Sequence, residues 1–104
     1  MWRDLRNEAF ILTEPACPCY CGGYGALVLV ACPACGTVMG RCDEVEELIR
    51  DVRAPAFDPD RSICHPDVPC PVCQAVPYGQ FRAATEAELQ ALGLTKERYR
   101  KWRA

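Results

Sequence analysis

Nine cysteines in 104 residues, most of them in short pairs, constrain this chain more than any other feature. Cys32-Pro33-Ala34-Cys35-Gly36 and Cys70-Pro71-Val72-Cys73 each place two thiols on a tight turn, and Cys17-Pro18-Cys19-Tyr20-Cys21 places three. Thiolates at this spacing can face a single cation, at about 2.3 Å each for zinc. Two such turns make a closed tetrahedral site. A pure disulfide framework would leave one of nine thiols over, so metal ligation is the first reading.

The candidate ligands are Cys17, Cys19, Cys21, Cys32, Cys35, Cys42, Cys64, Cys70 and Cys73, with His65 beside Cys64 as the single histidine. They suffice for one or two four-ligand sites. Two wirings are open. In the local one, which is favoured because Gly22–Gly25 can form a turn that brings the knuckles together, Cys17 and Cys21, with Cys19 able to replace Cys17, join Cys32 and Cys35 at a spacing common in zinc fingers. Cys42 or Cys64 (or His65) then joins Cys70 and Cys73. In the crossed one, a straight strand over Tyr24–Ala31 of roughly 26 Å separates the first turn from the Cys32 knuckle. Cys32 and Cys35 then meet Cys70 and Cys73, and the first turn meets Cys42. All four knuckle cysteines are ligands in either wiring.

Between the cysteines the chain reads as short elements. Phe10–Leu12 is an extended entry that packs on the core. Tyr24–Ala31 is rich in Val and Leu and bounded by Gly and Cys-Pro, which predicts a strand, with 37–42 returning as its partner. Asp43 as N-cap, Glu46 three residues on, and the stripe Val45, Leu48, Ile49, Val52 predict a helix over Asp43–Val52; an extension of the hairpin through Val45 is the alternative. The proline- and aspartate-containing stretch 53–69 is expected to be a surface loop. Val76–Phe81 is a candidate short strand. Thr85-Glu86-Ala87-Glu88 is a capping box that opens a helix through Leu92, stopped by Gly93. A second helical segment is expected from Leu94, with Tyr99 and Trp102 on one face.

The formal net charge of −2 argues against general charge-driven nucleic-acid binding. The charge is uneven, since in 94–104 Lys96, Arg98, Arg100, Lys101 and Arg103 stand against Glu97 alone. The N-terminal residues carry acids and no apolar h-region, so no secretory leader is expected. The longest apolar run, Ala26 to Cys32, is too short for a membrane span. These features lead to the expectation of a cytoplasmic protein in a reducing compartment, where clustered cysteines are metal ligands or redox groups before disulfides.

The Cys32-Pro-Ala-Cys35-Gly36 and Cys70-Pro-Val-Cys73 knuckles resemble those of the zinc-ribbon superfamily, and also those of rubredoxins. The resemblance covers roughly residues 15–75 and implies a metal-stabilised antiparallel ribbon. It departs from the pattern in its three-cysteine first turn, in Gln74 where the second knuckle would carry Gly, and in the extra Cys42 and Cys64. The order of ribbon, Cys42-Asp43-Glu44-Val45 and C-terminal helix also looks like that of small bacterial zinc-ribbon proteins, a likeness that implies no activity.

The expected fold is therefore small α+β: one domain over 1–104, with a ribbon core at 15–75 and a helical segment at 85–104. Catalytic zinc keeps an open position, with His or carboxylate ligands and a nearby base. No His-x-Glu pattern is present. The expected function is a non-catalytic, zinc-stabilised interaction module with a protein partner. Two alternatives stand beside it: nucleic-acid binding through 94–104, with Tyr99 and Trp102 as stacking faces, and thiol redox or rubredoxin-like electron transfer, with iron in place of zinc.

Overall fold

The computed structural model describes residues 5–13, 26–43, 48–49, 51–53 and 66–102. Its central element is β2 (Leu27–Ala31), a Leu-Val-Leu-Val-Ala run in which every residue is buried. Successive side chains of a strand point to opposite faces. A strand without polar alternation therefore has to be covered on both sides, and the packing shows this. Leu27, Leu29 and Ala31 belong to one buried cluster with Leu12, Val38, Cys42, Ile49, Val52, Leu89 and Tyr99. Val28, Val30 and Cys32 belong to a second, with Leu5, Ala9, Ile11, Met39, Cys70, Tyr78 and Phe81.

Around β2 the sheet is antiparallel. β1 (Phe10–Leu12) pairs with it at Phe10↔Leu29 through Leu12↔Leu27. β3 (Val38–Cys42) pairs on the other side at Leu27↔Cys42 through Ala31↔Val38. β4 (Leu48–Ile49) adds to β3, and β6 (Tyr99–Lys101) adds to β1. The strand order is β4-β3-β2-β1-β6. β5 (Arg82–Ala83) pairs with Val30 and Ala31, beyond the end of β1. Phe10–Leu12 is thus an extended entry packed on the core, and of the strand read over Tyr24–Ala31 the part Leu27–Ala31 is present, with Tyr24 and Gly25 outside the described residues.

The predicted helix over Asp43–Val52 is corrected. Leu48 and Ile49 form a strand on β3, with Gly40↔Ile49 and Arg41↔Leu48 in register. Asp43 closes the β2–β3 ladder through Ala26. Its carboxylate accepts from the Ala26 amide at 2.6 Å, and its own amide donates to the Ala26 carbonyl at 3.0 Å. Ile49 and Val52 still bury their side chains, against the first cluster.

The C-terminal region is corrected as well. α1 (Glu86–Ala91) has the expected capping box: Thr85 Oγ1 accepts from the Glu88 amide, and the Glu88 carboxylate accepts from the Thr85 amide. It ends where Gly93 takes φ 91°, with Gly93 N–H on the Gln90 carbonyl and Leu94 N–H on the Leu89 carbonyl. That is the Schellman pattern, and its accompanying apolar contact is supplied by Leu89 and Leu94 in one cluster. The expected second helix is instead a single 3-10 turn, Lys96–Arg98, followed by β6. Pairing with β1 decides this. The Thr13 amide donates to the Arg98 carbonyl at 2.7 Å, and the Trp102 amide to the Ala9 carbonyl at 3.0 Å. The Tyr99 ring meets Phe10 edge-on at 5.4 Å. Tyr99 and Trp102 consequently pack on different clusters. At Val76–Phe81 the expected strand is a 3-10 turn over Tyr78–Gln80, next to a single bridge between Pro69 and Pro77. Among the described residues, no helix is long and apolar enough to cross a membrane.

Candidate metal centre

The first knuckle starts at the end of β2. The Cys32 amide donates to the Thr37 carbonyl at 3.1 Å, and the Gly36 amide to the Cys32 carbonyl at 2.8 Å. Gly36 closes this turn with φ 75°. The second knuckle repeats the geometry. The Cys70 amide donates to the Val76 carbonyl and the Gln74 amide to the Cys70 carbonyl, each at 2.9 Å. Gln74 takes φ 60°, the left-handed conformation that glycine holds in the first knuckle. The missing glycine is thus tolerated at a backbone cost, and the turn keeps its form.

The two knuckles face each other. Cys32, Cys35, Cys70 and Cys73 bring their sulfur atoms within 4.8 Å of one another, and no histidine or carboxylate belongs to this cluster among the described residues. Cys32 Sγ lies 3.6 Å from Cys73 Sγ, and Cys35 Sγ lies 3.8 Å from Cys70 Sγ. A tetrahedron with bonds of about 2.3 Å has edges of about 3.8 Å. A disulfide requires about 2.05 Å. The spacing therefore fits four ligands around one ion, and the cluster can hold a metal.

The four knuckle cysteines are grouped as in the crossed wiring, whose other half, the first turn with Cys42, involves residues outside those described. The local wiring, favoured from a turn at Gly22–Gly25, would instead join Cys32 and Cys35 to the first turn, and the reason for the difference is β2. It is a strand from Leu27 to Ala31, and five residues at 3.3 Å carry the chain about 16 Å. Cys32 therefore leaves the sheet at the far end from Ala26. Cys42 pairs with Leu27 at that other end and belongs to the other buried cluster. Its side chain is fully buried and takes no part in the four-sulfur group. Cys17, Cys19, Cys21, Cys64 and His65 lie outside the described residues.

The four thiols differ in setting. Cys32 and Cys70 are buried, Cys73 is half-buried and Cys35 is exposed. Burial pushes the Cys32 thiol up to about 11. Cys35 is drawn down to about 6, chiefly because the Thr37 hydroxyl, 3.2 Å from Sγ, and the Thr37 amide support its thiolate. The Val72 amide donates to Cys70 Sγ at 3.5 Å. Arg82 is held protonated mainly by its hydrogen bonds to Glu88, at 2.6 and 2.8 Å, with a smaller contribution from Cys32. Thr37 and Arg82 are not singled out by the sequence. Thr37's place, two residues after a knuckle cysteine, is the signal that could find it; Arg82 reaches the site only through the β2–β5 pairing.

Beside the first knuckle, Thr37, Val38, Val52, Val72, Glu88 and Leu92 line part of a groove of about 600 Å³. Its carboxylates are already engaged. Glu88 is bound by Arg82 and Thr85, and Asp51 accepts from the amide and the guanidinium of Arg53. Comparison of the chain with protein-family models, curated proteins and solved structures gives no match.

Proposed function

We propose that Cys32, Cys35, Cys70 and Cys73 bind one zinc ion in a closed, structural site, and that the chain is a non-catalytic, zinc-ribbon-like module that presents its surface to a protein partner. The observation that carries this reading is the sulfur geometry, with separations of 3.6 and 3.8 Å. Four thiol ligands fill a tetrahedral ion and leave no position for substrate or water. The engaged carboxylates beside the knuckle fit the same reading. Sulfur ligands suit both zinc and iron. Zinc is preferred because an electron carrier needs only one such site, and the further cysteines of this chain fit that role poorly. A reducing, cytoplasmic setting follows for a protein that depends on free thiols.

The test is circular dichroism of the protein with and without a zinc chelator. The metal joins two segments 35 residues apart, Cys35 and Cys70, and its binding energy is folding energy. Chelation is expected to abolish the cooperative thermal transition. A transition that survives complete zinc removal contradicts the structural role.

A further inference from the structure

The order β4-β3-β2-β1-β6 leaves β6 at an edge of the sheet. Its inner side is fixed by Thr13 N–H to Arg98 O, by the Ile11↔Arg100 pairing and by Trp102 N–H to Ala9 O. In an antiparallel ladder the backbone groups of alternate residues point to opposite sides. Those of Tyr99 and Lys101 therefore face outward, and no described strand pairs with them. The Lys101 carbonyl accepts the guanidinium of Arg100, its own neighbour, at 3.2 Å.

The side chains along this edge are cationic. Arg100 and Lys101 are exposed, as is Lys96 in the preceding turn. Arg100 lies opposite Ile11 and Lys101 opposite Phe10, so the two cations stand on different faces of the strand. Lys101 Nζ stands 4.7 Å over the Phe10 ring and donates to the Glu8 carbonyl at 3.3 Å, on the β1 side. A strand added here would have alternate side chains beside one cation or the other.

We propose that the outer edge of β6 binds an extended acidic segment of a protein partner by strand addition. This rests on the reading of the chain as a zinc-stabilised interaction module and names the chemistry of its partner. The outward Tyr99 and Lys101 amides and the Tyr99 carbonyl supply backbone pairing, and the exposed Arg100 and Lys101 favour Glu and Asp on the added strand. The same charges oppose an apolar strand, which would desolvate them without compensation. They also oppose a second copy of this chain, whose own β6 would bring like charges together. A nucleic acid fits less well because Tyr99 offers no stacking face: it is buried, and its hydroxyl donates to the Glu86 carboxylate at 3.0 Å.

The test uses full-length, zinc-loaded protein and the capped peptide Glu-Glu-Thr-Glu-Glu-Thr-Glu, which carries Glu on both faces of an extended strand, followed by amide NMR and fluorescence anisotropy. A peptide of equal charge, N-methylated at alternate residues, cannot pair as a strand. We expect shifts at the Tyr99 and Lys101 amides, at least tenfold weaker binding of the methylated peptide, and a similar loss in the double variant Arg100→Glu/Lys101→Glu. Equal binding of both peptides, unchanged binding by the double variant, an absence of shifts at β6, or preferential binding of a uridine decamer overturns the proposal. Zinc content measured on the same samples keeps the two readings apart. A zinc-loaded chain that ignores the peptide overturns the edge site alone, whereas a correctly folded chain without zinc overturns the module reading and this inference with it.

Discussion

Gln74 shows how a single residue carries the cost of a metal knuckle. Its φ of 60° matches the 75° of Gly36 at the same place in the other knuckle. A residue with a Cβ pays about 1–2 kcal/mol for that conformation, while glycine gives back part of the gain through its freer unfolded chain. Gln74→Gly is therefore expected to stabilise the zinc-loaded protein by about 0.5–1 kcal/mol, a rise of a few degrees in Tm. Gly36→Ala should do the reverse by about 1 kcal/mol, through the backbone alone, because a Cβ there meets nothing within 4 Å. Thermal unfolding of both variants checks this; a Gln74→Gly protein that is no more stable than the parent contradicts the strain argument.

At the scale of elements, α1 is six residues long and cannot stand alone. Leu89, its single buried residue, anchors it. Leu89→Ala is expected to cost about 2–5 kcal/mol, read from chemical denaturation. Glu88 contributes through its charge. Its hydrogen bonds to Arg82, followed by those to Thr85, hold its carboxyl at about 2, against an ordinary 4.5. A lowered folded value means that this stabilisation is complete above pH 4.5 and is lost as pH falls toward 2. The two side chains are 34% and 25% exposed, so solvent screening reduces the contribution to about 1 kcal/mol. Glu88→Gln should be less stable than the parent by about that amount at pH 7, and the gap should close in acid; a gap that does not change with pH excludes the ionic origin. These elements also show what was legible in the sequence. The capping box and its glycine stop were readable because every partner lies within ten residues. The stripe Val45, Leu48, Ile49, Val52 has helical spacing, yet Leu48 and Ile49 gain strand partners on β3, and Asp43 is taken by Ala26. β6 was unreadable for the same reason: its partner, β1, is some ninety residues away in sequence, at Phe10↔Lys101.

In the whole molecule, the two faces of β2 divide the work. One face carries α1, Ile49 and Cys42, and the other carries the second knuckle through Cys70, Tyr78 and Phe81. The knuckle cysteines were legible from their spacing as a group that could hold a metal, but which knuckles meet was not, because that depends on the length of the strand between them. Cys42, placed on the opposite face and at the opposite end from Cys32, is a core side chain with respect to this cluster. Cys42→Ala is accordingly expected to leave the zinc held by Cys32, Cys35, Cys70 and Cys73 in place and to lower stability by roughly 1 kcal/mol for the buried volume lost. The most direct measurement is native mass spectrometry of the parent protein and of a Cys70→Ser/Cys73→Ser variant, with the metal identified by elemental analysis. The parent is expected to carry zinc, and the variant to carry one zinc fewer. An unchanged zinc count in the variant would contradict the four-thiol centre.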